Sequence, residues 1–320
     1  MECWRFDGEF KARLSERLHR QYRLFGPVTG GDGVCRLKPL APQDDWPRAG
    51  LPLIALKKLL LPSRETLWTG DNAQCQSPPT APATAVVGIA ACDLYALDYL
   101  DRVFEDDLLY RQRRESFLVV GGSYTSATEC FCPEISKPPF FDLFLGDDYV
   151  WAGSEAGERL LTELAGSRRT KEDISLPGRV TEGAQRPGGE NLEELFGRSA
   201  DWTLWQNVAD RCLSCGACSA VCPTCYCYDV VDEALPGRDP VRRREWDNCF
   251  FRSHALVAGG HNFRPGRKER LRFRFEHKML GFGALRGVPS CVGCGRCKAA
   301  CPVDIDISEV LAALVEEDAS

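Results

Sequence analysis

Eight cysteines fall into two runs with one spacing. CLSCGACSAVCP carries Cys212, Cys215, Cys218 and Cys222 before Pro223, and CVGCGRCKAACP carries Cys291, Cys294, Cys297 and Cys301 before Pro302. The pattern C-x2-C-x2-C-x3-C-P is the run by which ferredoxins hold [4Fe–4S] clusters. A cubane needs four thiolates around its corners. Three cysteines on short loops wrap one face, and the fourth points away from that loop, so in two-cluster proteins it ligates the other cluster. The spacing therefore predicts interleaved ligation. One cluster takes Cys212, Cys215, Cys218 and Cys301; the other takes Cys291, Cys294, Cys297 and Cys222. Gly216 and Gly295 allow close backbone approach and positive φ, and N–H groups there can bond sulfur and help set the potential. Zinc also takes paired C-x2-C, with four ligands per site. A zinc-stabilised interaction module explains two identical runs with a trailing proline less well.

Of the 17 cysteines, 11 lie between Cys212 and Cys301. Cys225 and Cys227 follow the first run, and Cys249 sits in WDNCF; packing beside the first cluster explains these three as readily as a further site. Cys92, Cys130 and Cys132, with Asp93 as an oxygen fourth ligand, form a candidate set for a third cluster, against the plain alternative of buried thiols. His19, His254, His261 and His277 stand in no H-x-E or H-E-x-x-H pattern and read as structural. There is no Walker A loop and no G-x-G-x-x-G, and GGDG at residues 30–33 reads as a turn. The sequence offers no nucleotide site of its own.

At 320 residues the chain suits about two domains of roughly 150 residues each. Hydrophobic residues make up 44% and charged residues 27%, an ordinary globular balance. The net charge of −6 gives no case for nucleic acid. An odd cysteine count does not suit a secreted disulfide scaffold. The charged first residues lack the apolar core of a signal peptide. Apolar stretches such as AVVGIAAC fall far below the ~20 residues that cross a bilayer. These readings point to a cytoplasmic chain without a membrane segment.

The expected fold class is α+β: an amino-terminal α/β domain over residues 1–190, then a mainly helical, ferredoxin-like two-cluster domain over residues 191–320. Residues 1–80 read as loop-heavy, with residues 53–61 a helix or buried strand. Residues 84–92 suit a buried strand, residues 93–104 a helix with Asp93 as N-cap, residues 117–120 another strand, and residues 155–164 an amphipathic helix. Residues 165–190 read as a linker, and residues 202–210 as a helix leading into the first run. The spacer at 223–290 is long, which favours a helical two-cluster domain. It carries 13 Lys and Arg against 8 Asp and Glu. That charge suits docking to an acidic partner, offsetting of cluster charge, or a solvated helix face.

Several segments resemble a known family: LLLPSRETLW (59–68), ACDLYALDYLDRVFEDD (91–107), YRQRRE (110–115), ECFCPE, CLSCGACSAVCPTCYCYDV, RRREWDNCF, VAGGHNFRPGRKERLRFRFEHK and CVGCGRCKAACPVDIDI. Together they are similar to the beta, iron–sulfur subunit of cytoplasmic nickel–iron hydrogenases of the sulfhydrogenase type, a 4Fe–4S dicluster group in which anaerobic sulfite reductase is also represented. TCYCYDV and AGGHNFR are its most particular pieces. The sequence departs where Ala90 and Ala91 precede Cys92 in place of the usual Arg-Pro, and where Ser123 and Ala127 stand near cysteines of relatives. The resemblance implies an electron-transfer subunit with two [4Fe–4S] clusters. It would relay electrons between an FAD/NAD(P)-binding subunit on one side and a catalytic subunit such as nickel–iron hydrogenase on the other, with no substrate chemistry of its own. The alternative is a sulfite, sulfur or disulfide reductase subunit with a catalytic third cluster.

Overall fold

The computed structural model describes residues 3–70, 75–76, 81–124, 130, 140–165 and 192–319. In chain order the elements are β1 (Cys3–Arg5), α1 (Phe10–His19), β2 (Arg23–Thr29), β3 (Cys35–Pro39), α2 (Lys57–Leu60), β4 (Arg64–Gly70), β5 (Cys75–Gln76), β6 (Thr84–Ile89), α3 (Ala91–Val103), α4 (Leu108–Glu115), β7 (Phe117–Gly122), β8 (Leu143–Leu145), β9 (Tyr149–Ala152) and α5 (Glu155–Ala165). The carboxyl-terminal part continues with α6 (Leu192–Arg198), α7 (Thr203–Arg211), α8 (Ala217–Ala220), β10 (Tyr228–Glu233), β11 (Val241–Trp246), α9 (Arg267–Leu280), α10 (Arg296–Ala299) and α11 (Ile307–Asp318). The mixed helix and sheet content is that of an α+β protein. No helix among the described residues is long and apolar enough to cross a membrane.

The chain divides into two compact units. The first comprises Met1–Leu60, Pro79–Ser126 and Ile135–Glu182; the second comprises Leu61–Pro78, Ala127–Glu134 and Gly183–Ser320. The first unit is built on a seven-stranded sheet in the order β1-β9-β8-β7-β6-β2-β3. Its centre is parallel, from β2 through β6 and β7 to β8, and its edges are antiparallel. Strands β6 and β7 are buried almost throughout, as parallel strands covered on both faces must be. Phe10, Leu14 and Leu18 of α1 recur at helical spacing and pack with Leu24, Val87, Val120 and Leu161.

Three expectations are corrected in this unit. The amino-terminal segment is more than loop: residues 3–60 form one ten-residue helix, a short helix and three strands, because its prolines stand at strand ends and turns or, like Pro27, late in a strand. Only Lys57–Leu60 of the apolar run is helical, Pro62 stopping it. Asp93 does not cap α3. The helix starts two residues earlier, after an extended Ala90, and Asp93 lies buried in its first turn. There a carboxylate still faces the positive helix end. Residues 166–191, which include nearly all of the expected linker, lie outside the described residues.

In the second unit, helices α6, α7, α9 and α11 enclose a core of Phe196, Trp205, Leu271, Phe275, Leu311 and Leu314. Beside them runs an antiparallel sheet in the order β10-β11-β4-β5. Its strand β4 comes from far back in the sequence and is tied to β11 by a buried ion pair, Glu65 to Arg244 at 2.5 Å.

Candidate metal centre

Both cysteine runs lie in the second unit and fold alike. In the first, the end of α7 sets Cys212, whose N–H donates to the Val208 carbonyl at 3.1 Å. Ser214 then takes φ 52°, and Gly216 takes φ 77° as the left-handed residue before α8, which carries Cys218. In the second, the end of α9 sets Cys291, whose N–H donates to the Lys278 carbonyl at 3.0 Å. Gly293 takes φ 64°, and Gly295 takes φ 73° before α10, which carries Cys297. Helices α8 and α10 pack against each other. A Cβ at Gly216 would stand 2.3 Å from the Asn248 amide nitrogen, so both the φ and the close approach require glycine there.

The two runs converge on one apolar pocket. Cys212, Cys215, Cys218 and Cys301 all line it, with Cys297 beside them, and Phe250, Phe275 and Ile307 form its walls. The Ser214 N–H donates to Cys212 Sγ at 3.4 Å, and the Ile305 N–H to Cys301 Sγ at 3.3 Å. Burial pushes the Cys218 and Cys297 thiols up, since a lone buried thiolate is costly. Among the described residues no three His, Cys, Asp or Glu side chains are set to hold a single metal ion.

Helix α9 delivers positive charge to this region. Arg270, Arg274 and Lys278 recur at i, i+4 and i+8 and are all buried. Arg274, 4% exposed, donates to Ser219 Oγ at 2.9 Å, Cys225 Sγ at 3.3 Å and the Cys218 carbonyl at 3.0 Å. Lys278, 3% exposed, donates to Thr224 Oγ1 at 3.0 Å. Burial disfavours both charges, yet the surrounding cysteines hold both cations above their ordinary values. A buried cation needs an anion, and cluster thiolates supply one. The donor set, the N–H···S bonds and the cations therefore fit [4Fe–4S] clusters. Sequence reading left the basic stripe divided between docking, charge offset and a solvated face. Burial excludes the solvated face for Arg274 and Lys278.

The remaining cysteines separate. Cys222, buried, bonds Thr224 Oγ1 at 3.4 Å and takes a hydrogen bond from Cys225. Cys227 donates to Cys249, which pulls the Cys249 thiol down to about 6 and holds Cys227 up. Asn248, between these strands and the first run, donates to the Gly216 carbonyl at 3.0 Å. No pattern in the sequence marked Asn248 or the α9 cations, because a single Asn or an Arg stripe carries no spacing signature. Cys92 and Asp93 are buried on α3 of the first unit. Cys130 belongs to the second unit, where its Sγ meets the Cys294 carbonyl at 3.6 Å. Cys132 lies outside the described residues. Burial and Lys278 push His277 down to about 3, a neutral ring whose Nε2 meets the Tyr226 hydroxyl at 3.2 Å. His254 pairs with Asp247.

Residues 211–305 match the 4Fe–4S dicluster domain. No solved structure matches the chain. Along its whole length it is similar to a curated protein: it is 29% identical to Sulfhydrogenase 2 subunit beta of Pyrococcus furiosus, over 97% of this chain and 98% of that relative. That relative carries the name that the motifs of this chain resemble.

Proposed function

We propose that the chain is the electron-transfer subunit of an oxidoreductase complex, holding two [4Fe–4S] clusters with interleaved ligands. It would stand between an FAD/NAD(P)-binding subunit on one side and a catalytic subunit such as nickel–iron hydrogenase on the other. The observation that carries the reading is the pocket shared by Cys212, Cys215, Cys218 and Cys301, three ligands from one run and the fourth from the other. The complex itself is inferred from the relative, named as one subunit of a sulfhydrogenase.

Bound clusters supply one-electron transfer, at potentials anywhere from about −700 to +450 mV. The chain's own residues do the rest. Gly216 and Gly295 take the left-handed backbone that each loop needs, a conformation open to glycine at little cost. Arg274 and Lys278 offset thiolate charge. Phe250, Phe275 and Ile307 give the pocket apolar walls, and low polarity strengthens electrostatic contacts. Cys215 and Leu213 lie exposed on the first loop, so this is where a redox partner approaches closest.

The test is iron and acid-labile sulfide per chain on anaerobically purified protein, with EPR after dithionite. About eight irons and two interacting signals are expected. About twelve would establish a third cluster and favour the reductase alternative. Near-zero iron without sulfide, after reconstitution, overturns the proposal.

A further inference from the structure

Past Cys249 the chain forms a hairpin that carries no cysteine and is built onto the first cysteine loop. Asn248, which donates to the Gly216 carbonyl, accepts the Phe251 N–H on its own carbonyl at 2.8 Å. Phe251 lies against the loop: a Cβ at Gly216 would stand 3.2 Å from its ring. A 3-10 turn at Arg252–Ala255 follows, and then Leu256 pairs with Asn262. The Val257 N–H donates to the His261 carbonyl at 2.9 Å, and Gly259 and Gly260 turn the tip at φ 85° and 82°. The Asn262 side chain ties the returning strand to the Arg252 carbonyl at 2.7 Å. This frame holds Phe251, Leu256, Val257 and Phe263 out in solvent, Phe263 at 65% exposed, and the loop it rests on exposes Leu213 and Cys215. Exposed apolar side chains gathered on one short, ordered segment mark an interaction surface. The same segment is cationic. Residues 251–268 hold Arg252, Arg264, Arg267 and Lys268 and no Asp or Glu, in a chain of net charge −6. None of the four forms an ion pair among the described residues; Arg264 lies over the Phe273 ring at 3.9 Å instead.

We infer that this hairpin and the first loop form the docking surface for a small acidic protein that carries single electrons, recognised by an apolar spot ringed with carboxylates. Aromatic side chains and arginine are what protein interfaces concentrate at their contact centres. Cations without carboxylate partners of their own attract an acidic face and speed its arrival. The patch is narrow. Four apolar side chains on one hairpin suit a brief redox encounter, whereas a permanent subunit interface is larger and more hydrophobic. The hairpin rests on the loop that carries Cys212, Cys215 and Cys218, so a docked carrier lies beside the cluster proposed there. One electron then passes between the two: the carrier is oxidised by one electron as the cluster is reduced by one, with no bond made or broken. The role in electron transfer rests on the cluster reading; the docking itself does not.

The probe is an acidic [2Fe–2S] ferredoxin, titrated anaerobically into the full chain with its clusters in place and followed by calorimetry at low and high salt. Expected is binding that weakens as salt rises, because screening shortens the reach of the cations. Arg252→Glu should weaken binding about tenfold at low salt and less at high salt. Phe263→Ala should weaken it about tenfold at both. Reduction by photoexcited deazariboflavin, a small uncharged reductant that needs no docking, should keep its wild-type rate in both variants and so report that they fold and hold their clusters. The inference fails if the ferredoxin does not bind the wild-type chain, or if either variant binds it as the wild type does. It also fails if the wild-type chain sediments with phosphatidylserine vesicles and both variants do not, since the patch is then a membrane face. A wild-type chain that deazariboflavin cannot reduce overturns the cluster reading, while the titration still reads docking.

Discussion

The two cysteine loops share a backbone and differ in what surrounds it. In the first, Leu213 is 60% exposed and Cys215 faces solvent. In the second, the matching Val292 and Cys294 are 7% and 8% exposed. The first loop puts Ser214 at the left-handed position where the second has Gly293. The first is held by a side chain from outside it, Asn248 on the Gly216 carbonyl. The second is held by an ion pair, Lys298 to Asp306 at 3.0 Å, onto the cap of α11. One ligand pattern thus serves two tasks. A buried loop keeps its charge in a dry setting, and an exposed loop offers a short path outward. The same three cysteine spacings cannot encode that difference; the residues between and around them do.

The largest expected effect breaks the symmetry of ligation. Cys222→Ser should remove the cluster built on Cys291, Cys294 and Cys297, and spare the one beside Cys222 in sequence. Iron should fall by about four per chain, with one EPR signal lost. Cys225→Ser, one turn further on, should keep both. Loss of the opposite signal would mean that each run binds its own cluster and that the shared pocket misleads.

Next comes the charge that α9 supplies. Arg274→Leu removes a buried cation hydrogen-bonded to the first loop at the Cys218 carbonyl and Ser219. Leaving buried negative charge uncompensated costs about 3–5 kcal/mol, read as a fall in the anaerobic unfolding midpoint. Where a cluster survives, its potential should move to more negative values, since less positive charge favours the reduced state less. An unchanged potential would restrict Arg274 to packing.

What the sequence discloses depends on the range of each signal. The two cysteine runs, α7, β6, β7 and α5 are local: spacing, capping or periodicity marks each within a dozen residues. The misreadings are non-local. Strand β4 joins the second unit because Glu65 meets Arg244, which lies 179 positions away, and no local pattern reports such a pairing. The basic stripe of α9 has the periodicity of a solvated face; only packing against the cysteine loops reveals it as buried. The mistaken Asp93 cap came from a residue with the right chemistry, displaced by the extended Ala90 that starts the helix.

The anchor of the second loop makes a pH prediction. Asp306 is the N-cap of α11, accepting from the Ser308 N–H at 2.8 Å. Burial works against its charge, but the Ser308 hydroxyl and N–H and Lys298 outweigh it and hold the carboxyl below its ordinary value near 3.8. A depressed folded-state value contributes stability that is present above the unfolded value and lost as pH falls through the folded one. Asp306→Asn keeps the cap and removes the charge, so the difference from wild type should be constant near neutrality and vanish on acidification below pH 3.8. Asp306→Ala loses the cap as well, about 0.5–2 kcal/mol at neutral pH. If the Asn variant matches wild type at neutral pH, the Lys298 pair contributes nothing and the second loop is held by packing alone.

The smallest effect sharpens the comparison most directly. Ser214 and Gly293 occupy the same place in their loops, with φ 52° and 64°. A left-handed conformation costs a non-glycine residue about 1–2 kcal/mol, and the buried Ser214 hydroxyl finds no hydrogen-bond partner among the described residues to offset it. Ser214→Gly should therefore stabilise the first loop, by less than this because glycine loses more freedom on folding, roughly 0.5–1 kcal/mol relative to alanine. Gly293→Ser should destabilise the second loop, and by more, since its surroundings are buried. The measurement is the unfolding midpoint of each variant with iron content held equal. Opposite signs would show that the loops differ in side chain while obeying one backbone. Destabilisation by both would mean that the Ser214 hydroxyl acts in the loaded first loop, where the N–H of the same residue already reaches Cys212 Sγ.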